Sequence, residues 1–348
     1  MNSYLEAKGI SILPQIENLL QLPDIHRDID NQLWIVDEKV AKLSTFSKVS
    51  PPHMYLVSSG EKLKDIDQFP QHIKKVIHLT ETIATRKLKI VAVGGGSVGD
   101  FAGFIASILR RGVELIHIPT TWLACIDSAH GGKTALNVES YKNQIGTFYP
   151  ARKIFIIKDL LESQPSELKT DAYAELFKIA LLKGETWIQD FLKDIPSLST
   201  KNQVLWPYIQ HAIEAKYFYI EADPKEALGI RTELNLGHTL AHILENTCGL
   251  RHGQAVGKGL HFAIAWSSQK YNLQNAENLH QALEAMGHSR QPIKIKEKQI
   301  QAGLARDKKL SDRDMLRFIF LPSIGKAKID DVSFREFMVF ATEQGWLL

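Results

Sequence analysis

Five short runs rich in β-branched and other apolar residues recur through the first half of the chain. They are Leu33-Trp34-Ile35-Val36, Met54-Tyr55-Leu56-Val57, Lys89-Ile90-Val91-Ala92-Val93, Glu114-Leu115-Ile116-His117-Ile118 and Lys153-Ile154-Phe155-Ile156-Ile157. Helical patterning fills the segments between them, and such alternation predicts a largely parallel sheet covered by helices, an α/β Rossmann-like domain.

From Pro165 onward the texture changes to long amphipathic helical segments, Asp171 to Lys183, 204–222, Leu236 to Glu245 and Gln254 to Tyr271. One β-prone run, Leu316-Arg317-Phe318-Ile319-Phe320-Leu321, interrupts them, and Phe334 to Gln344 reads as a last helix. With 348 residues, 44% of them hydrophobic, the chain has enough material for two cores. The expected division is an α/β domain over residues 1–165 and a mostly α-helical domain over 166–348.

Basic and acidic residues number 42 and 39 and are spread along the chain, so the net charge of +3 leaves no nucleic-acid footprint. No apolar run approaches the roughly 18 residues of a membrane span, and the first residues do not read as a signal peptide. The two cysteines, Cys125 and Cys248, form neither a disulfide framework nor a CxxC zinc motif. A cytoplasmic protein is expected.

Gly94-Gly95-Gly96-Ser97-Val98-Gly99-Asp100 directly follows the Lys89 to Val93 run and leads into a helix expected over Phe101 to Leu109. Glycines let the backbone turn tightly and approach a diphosphate, which the free amides at a helix start favour. The acid that a Rossmann domain places on the next strand's end is missing, because that strand ends Ile118-Pro119-Thr120-Thr121. Glycine turns between strand and helix also occur with no ligand.

The stretch Asp127-Ser128-Ala129-His130-Gly131-Gly132-Lys133-Thr134, with Lys142-Asn143 after it, offers many donors and two lysines, as a phosphate or polyhydroxylated ligand requires. It lacks P-loop spacing, since Asp127 stands where the first glycine should be. Taken alone it reads as a solvated loop.

In Leu236-Gly237-His238-Thr239-Leu240-Ala241-His242 two histidines at i, i+4 share one helical face, and His252-Gly253 follows in a turn before another helix. A chance HxxxH is common in a chain with 13 histidines. The third histidine raises the metal reading, because helix, turn and helix would bring His252 beside His238 or His242. A carboxylate must complete the set, and Glu175, Glu233 and Glu245 all remain open.

Taken in order, Gly94 to Asp100, Arg111-Gly112, Pro119-Thr120-Thr121, Asp127-Ser128 with Gly131 to Thr134, Lys142-Asn143, Ala174-Glu175 with Lys178, Leu234 to Thr239, and His252-Gly253 resemble the 3-dehydroquinate synthase family. The likeness runs from about Asp37 to Lys309 with order and approximate spacing kept.

The resemblance implies a lyase of the shikimate pathway, and so of chorismate and aromatic amino acid biosynthesis. It would convert 3-deoxy-D-arabino-heptulosonate 7-phosphate to 3-dehydroquinate and phosphate. Bound NAD takes a hydride, phosphate is eliminated, the hydride returns, and an intramolecular aldol closes the ring, so NAD is regenerated in each turnover. The cofactors implied are NAD and a divalent metal, zinc or cobalt in its place, and the assembly implied is a homodimer.

By the same resemblance the metal ligands are Glu175, His238 and His252, with His242 a polar group near the substrate. Substrate contacts fall on Asp127, Lys133, Asn143, Lys178, Lys216, Arg231, Asn235 and one or both of Lys308 and Lys309. Arg111 matches an arginine that reaches the neighbouring protomer's site. For NAD, Asp37 matches an adenosine ribose contact, and Glu61 and Lys64 match a second ribose and phosphate contact. Gly94, Gly95, Gly96, Gly99, Asp100, Thr120 and Thr121 line the diphosphate and nicotinamide side, with Asp127, Lys133 and Lys142 beside them.

Several positions depart from the family pattern, three of them at the heart of its motifs. His130 replaces a usual valine, Ala172 a usual glycine, and Ala241 the second glycine of Gly-His-Thr-Phe-Gly-His. The alternatives are a cyclase making a valiolone- or inosose-type ring, a metal-dependent alcohol dehydrogenase of the same fold, or a non-catalytic homologue. The last predicts losses among the metal ligands and cationic residues, and none is lost.

Overall fold

The computed structural model describes residues 3–14, 19–43, 46, 49–139, 141–184, 186–198, 205–306 and 315–348. The chain divides into two units, Met1–Pro165 and Ser166–Leu348.

The first unit is built on six parallel strands, β1 (Ile10–Leu13), β2 (Gln32–Asp37), β3 (His53–Val57), β4 (Lys89–Gly94), β5 (Glu114–Pro119) and β8 (Lys153–Ile157), in the order β1-β8-β5-β4-β2-β3. Side chains alternate between two cores, as a sheet covered on both faces demands. Leu33, Ile35, Ile90, Ala92 and Leu115 pack with Phe101, Ala102 and Ile105, whereas Trp34, Val36, Val91, Val93, Ile116 and Ile118 face the other way. Among the longer helices are α1 (Phe69–Leu79) and α2 (Gly96–Ile108).

Helix α2 starts at Gly96 rather than at the expected Phe101, because Gly95 is its N-cap and the glycine turn already lies in its first turn. A second departure concerns 127–134, which is not a solvated loop. Ala124–Ser128 forms a π-helical turn, and β6 (Lys133–Val138) pairs antiparallel with β7 (Tyr141–Phe148). Ala129, His130 and Thr134 are buried. Thr134 packs so tightly on α2 that a Cβ at Gly103 would come within 2.5 Å of its Cγ2.

In the second unit the longer helices are α3 (Ser166–Lys183), α4 (Trp187–Leu198), α5 (Ile209–Ala222), α6 (His238–Cys248), α7 (His252–Tyr271), α8 (Ala276–Ala285), α9 (Glu297–Arg306) and α10 (Phe334–Glu343). The late β-prone run is one arm of a hairpin, β9 (Met315–Ser323) with β10 (Lys326–Ser333), turned at Gly325 with φ +81°. An aromatic core joins α7, β9 and α10. Trp266 lies parallel to Phe340 at 5.0 Å, and Phe262 meets Phe340 edge-on at 4.9 Å. Burying each such ring stabilises by about 1.5–3 kcal/mol.

Among the described residues no helix is long and apolar enough to cross a membrane.

Candidate active site

In the second unit Glu175 lies within α3, His238 opens α6 and His252 opens α7. Each offers one ligand atom, and these atoms lie within 4.8 Å of one another. His252 Nε2 stands 3.2 Å and His238 Nε2 3.4 Å from Glu175 Oε1. Glycines permit the convergence. Gly237, the left-handed N-cap of α6 at φ +80°, sits against α7 where a Cβ on Gly259 would come 1.9 Å from the Gly237 carbonyl oxygen.

The opposite edge of each imidazole is fixed by an acceptor. His252 Nδ1 donates to Glu245 Oε1 at 2.8 Å, and His238 Nδ1 donates to the Leu236 carbonyl at 3.2 Å. A carboxylate or carbonyl can only accept, so Nδ1 carries the proton in both rings and Nε2 faces Glu175. Metal-ligating histidines are held this way, with the second nitrogen on an oxygen acceptor.

Burial and neighbouring charges act on each member of the trio. Burial opposes the Glu175 charge, yet the Lys178 charge and the neighbouring His238 and His252 side chains hold its pKa well below the ordinary value. Burial also opposes an imidazolium at His252, but hydrogen bonds to Glu175 and Glu245 push its pKa up to about 10. Burial and then the Lys178 charge lower His238 to about 4. Glu175 Oε2 is buried and ion-paired with Lys178, whose Nζ stands 2.5 Å away. A carboxylate and two correctly oriented imidazoles around one point fit a divalent ion such as zinc.

His242 stands outside this trio, with its ring 5.5 Å from that of His238. Glu233 is hydrogen-bonded by Tyr219 and also lies outside it. In the same unit Lys178, Lys216 and Arg231 are buried cations, and Asn235 is half-buried. Arg231 Nη1 donates to the Pro224 carbonyl at 3.1 Å. Lys308 and Lys309 lie outside the described residues.

In the first unit the candidate groups collect at the C-terminal edge of the parallel sheet. Gly94 ends β4, and its neighbour β2 ends at Asp37, whose Oδ1 accepts the Lys39 amide at 2.9 Å. Next to β2 runs β3, followed by the 3-10 turn Glu61–Lys64. The acid absent after β5 therefore has a counterpart on the other side of β4. The glycine turn is a cradle that side chains would fill. A Cβ at Gly95 would stand 3.0 Å from Thr121 Cγ2, and one at Gly96 3.0 Å from Ser128 Oγ. The turn leads into α2 with no side chain capping its first amides, which suits a dinucleotide diphosphate.

Lys64 is buried and donates to Asp100 Oδ2 at 2.6 Å and to Asn143 Oδ1 at 2.5 Å. Burial raises the Asp100 pKa despite that ion pair. Thr120 donates its amide to the Gly94 carbonyl, and Thr121 Oγ1 accepts from the Ala124 amide. Asp127 and Lys142 are partly exposed, and Lys133, Asn143 and Arg111 are exposed. Arg111 sits at φ +67° beside Arg110 at φ +51°, whose guanidinium donates to the Thr80 and Ile83 carbonyls.

Profiles of the 3-dehydroquinate synthase N-terminal and C-terminal regions match residues 54–170 and 172–310. The chain belongs to the 3-dehydroquinate synthase family. The 3-dehydroquinate synthase of Leptospira interrogans serogroup Icterohaemorrhagiae is 36% identical over 280 residues, spanning 79% of this chain and 76% of that protein. That of Coxiella burnetii is 34% identical over 285 residues, 80% and 78% of the two chains.

Among solved structures, a 2-deoxy-scyllo-inosose synthase complexed with carbaglucose-6-phosphate, NAD+ and Co2+ superposes with a TM-score of 0.81 at 25% identity, covering 97% of this chain and 96% of that one. A 2-epi-5-epi-valiolone synthase from Streptomyces hygroscopicus with NAD+ and Zn2+ bound shares the fold, with a TM-score of 0.82 at 20% identity over 96% of each chain. An iron-containing alcohol dehydrogenase from Thermotoga maritima shares it more distantly, with a TM-score of 0.54 at 14% identity over 98% and 92%.

Two features of the site escape a reading of motifs. Glu245 is open to the sequence as a ligand candidate, whereas here it bonds the other nitrogen of His252. Arg251 fastens the start of α7 to α3, its Nε 2.9 Å from Asp171 Oδ2 and its Nη2 3.1 Å from the Glu167 carbonyl. Arg251 directly precedes His252, whereas Glu245 lies on the preceding helix, and sequence shows the use of either only once the ligand is known. His130, one of the departures from the family pattern, is buried and bonds through Nε2 to the Cys125 carbonyl at 2.7 Å, bracing the π-helical turn that carries Asp127.

Proposed function

We propose that this chain is a 3-dehydroquinate synthase. It converts 3-deoxy-D-arabino-heptulosonate 7-phosphate to 3-dehydroquinate and phosphate, in the cytoplasm and as a homodimer. The single observation that carries the reading is the convergence of Glu175, His238 and His252 in a chain that matches the family over residues 54–170 and 172–310.

Residues 1–165 hold NAD, with the glycine turn and the start of α2 at the diphosphate and Asp37, Glu61 and Lys64 toward the riboses. Residues 166–348 hold a zinc ion on Glu175, His238 and His252. When bound, these groups supply a reversible hydride acceptor and a Lewis acid for substrate hydroxyls.

The chain's own residues bind and orient the substrate. Lys178, Lys216 and Arg231 are buried, so their charges act through a medium less polar than water and neutralise phosphate and carboxylate strongly. Lys133 and Asn143 add donors from the β6–β7 hairpin. Glu245 and the Leu236 carbonyl hold the two imidazole protons away from the metal side. Fixing the pose does most of the work, because elimination and ring closure both depend on a single conformation. We assign no protein base.

Substrate specificity tests the reading against its nearest relatives. Phosphate release should be fast with the carboxylate-bearing seven-carbon substrate and at least a hundredfold slower with a seven-carbon sugar phosphate lacking the carboxylate or with a six-carbon one. The reverse order would assign a valiolone- or inosose-type cyclase, and net NADH accumulation an alcohol dehydrogenase.

A further inference from the structure

One side chain that no motif singles out links the proposed cofactor side of the first unit to the proposed substrate side. Asn137 lies in β6 at a break in the β6–β7 register and is buried. Its Oδ1 accepts the Asn143 amide at 2.9 Å, while its Nδ2 donates to Glu61 Oε2 at 2.8 Å and to the Glu61 carbonyl at 3.3 Å. Its own carbonyl accepts the Ile66 amide at 2.9 Å. The amide orientation follows from the partners, since a backbone N–H must meet the oxygen and a carboxylate the nitrogen.

The two ends of this bridge are tied a second time. Lys64, at the other end of the same 3-10 turn as Glu61, donates to Asn143 Oδ1. Asn143 is held at φ +56°, a left-handed conformation that its neighbours must maintain. The amide of Asn137 and the ammonium of Lys64 thus grip Asn143 at backbone and side chain and connect both to Glu61.

We infer that Asn137 is a positioning residue that couples the NAD ribose contact Glu61 to the substrate contact Asn143, so that loss of its side chain weakens cofactor and sugar phosphate together. This rests on the functional reading above. A mere packing role for Asn137 would alter stability without moving the two ligands in step.

The test is a titration of NAD by calorimetry, without sugar phosphate, into the wild-type protein, Asn137→Asp, Glu61→Gln and the double variant. The sugar-phosphate KM of each is then measured at saturating NAD. Asn137→Asp keeps the acceptor for the Asn143 amide but sets a carboxylate against Glu61. It should raise the NAD Kd by about tenfold, the loss expected when a buried hydrogen bond becomes a repulsion, and raise the sugar-phosphate KM with it.

Adding Glu61→Gln restores a donor facing Asp at 137, and should return both constants to those of Glu61→Gln alone. Asn137→Ala, which removes both bonds without adding charge, covers the case in which the aspartate variant does not fold, and should raise both constants. Unchanged constants in Asn137→Asp or Asn137→Ala, or a double variant no better than Asn137→Asp, would overturn the coupling. A wild-type protein that binds no NAD would overturn the functional reading, and the coupling with it, before any variant is compared.

Discussion

Gly253 and Asp171 meet backbone to backbone, so closely that a Cβ on Gly253 would stand 2.1 Å from the Asp171 Cα. Asp171 lies one helical turn before Glu175 in α3, and Gly253 directly follows His252 at the start of α7. This approach, fastened by Arg251, brings the His252 ring over Glu175.

Gly253→Ala should therefore push the start of α7 off α3. The expected cost is about 1–3 kcal/mol of overpacking, with loss of stoichiometric zinc. Metal analysis and a denaturant melt check it. A variant that keeps full zinc content would show that the contact does not set the site.

Glu245→Ala removes the acceptor of the His252 Nδ1 proton and leaves the three ligand atoms in place. Zinc affinity should fall by about 10- to 100-fold, measured by competition with a chelating dye. Glu245→Gln keeps an acceptor oxygen and should fall less.

A buried histidine chain away from the metal site predicts acid sensitivity. His261 Nε2 donates to the His288 carbonyl, so its Nδ1 accepts from His280 Nδ1, and His288 Nε2 donates to the Thr170 carbonyl. Burial lowers His280 and His288 from 6.5 to about 4. Their folded pKa values lie below the unfolded ones, so the unfolded chain binds more protons between these limits. Stability should be full above pH 6.5 and decline as pH falls toward 4, by up to about 1.4 kcal/mol per pH unit for each histidine. His280→Gln keeps a donor to His261 without titrating, and should flatten the slope of urea midpoint against pH in this window.

Phe262→Ala should cost about 3–5 kcal/mol by opening the aromatic core around Trp266 and Phe340. About 15 Å of rise along α7 separates it from His252, and its ring packs in the aromatic core, so the folded variant should still bind one zinc. A thermal melt beside metal analysis separates the two effects.

The central strands are legible in the sequence because burial on both faces requires unbroken apolar runs, as in Trp34-Ile35-Val36. Strand β7 is not, because Tyr141, Asn143, Gln144 and Ile145 are exposed and carry no alternation. Strand β1, four residues long, and β10, mixed in burial, are missed for related reasons. At the site, the i, i+4 histidines suggest a metal, but choosing among Glu175, Glu233 and Glu245 requires knowing which helices touch. Gly253 is visible as a glycine, yet only packing shows what it admits. Lys64 matches a cofactor contact in sequence, and only the fold reveals that it is already bonded to Asp100 and Asn143.

The most direct measurement is turnover of 3-deoxy-D-arabino-heptulosonate 7-phosphate by the purified protein with catalytic NAD and zinc, following phosphate and identifying the carbocycle by mass and NMR. The expected result is one 3-dehydroquinate per phosphate with no net NADH, abolished by a chelator and restored by zinc. A protein that binds NAD and zinc yet releases no phosphate from this substrate would contradict the assignment.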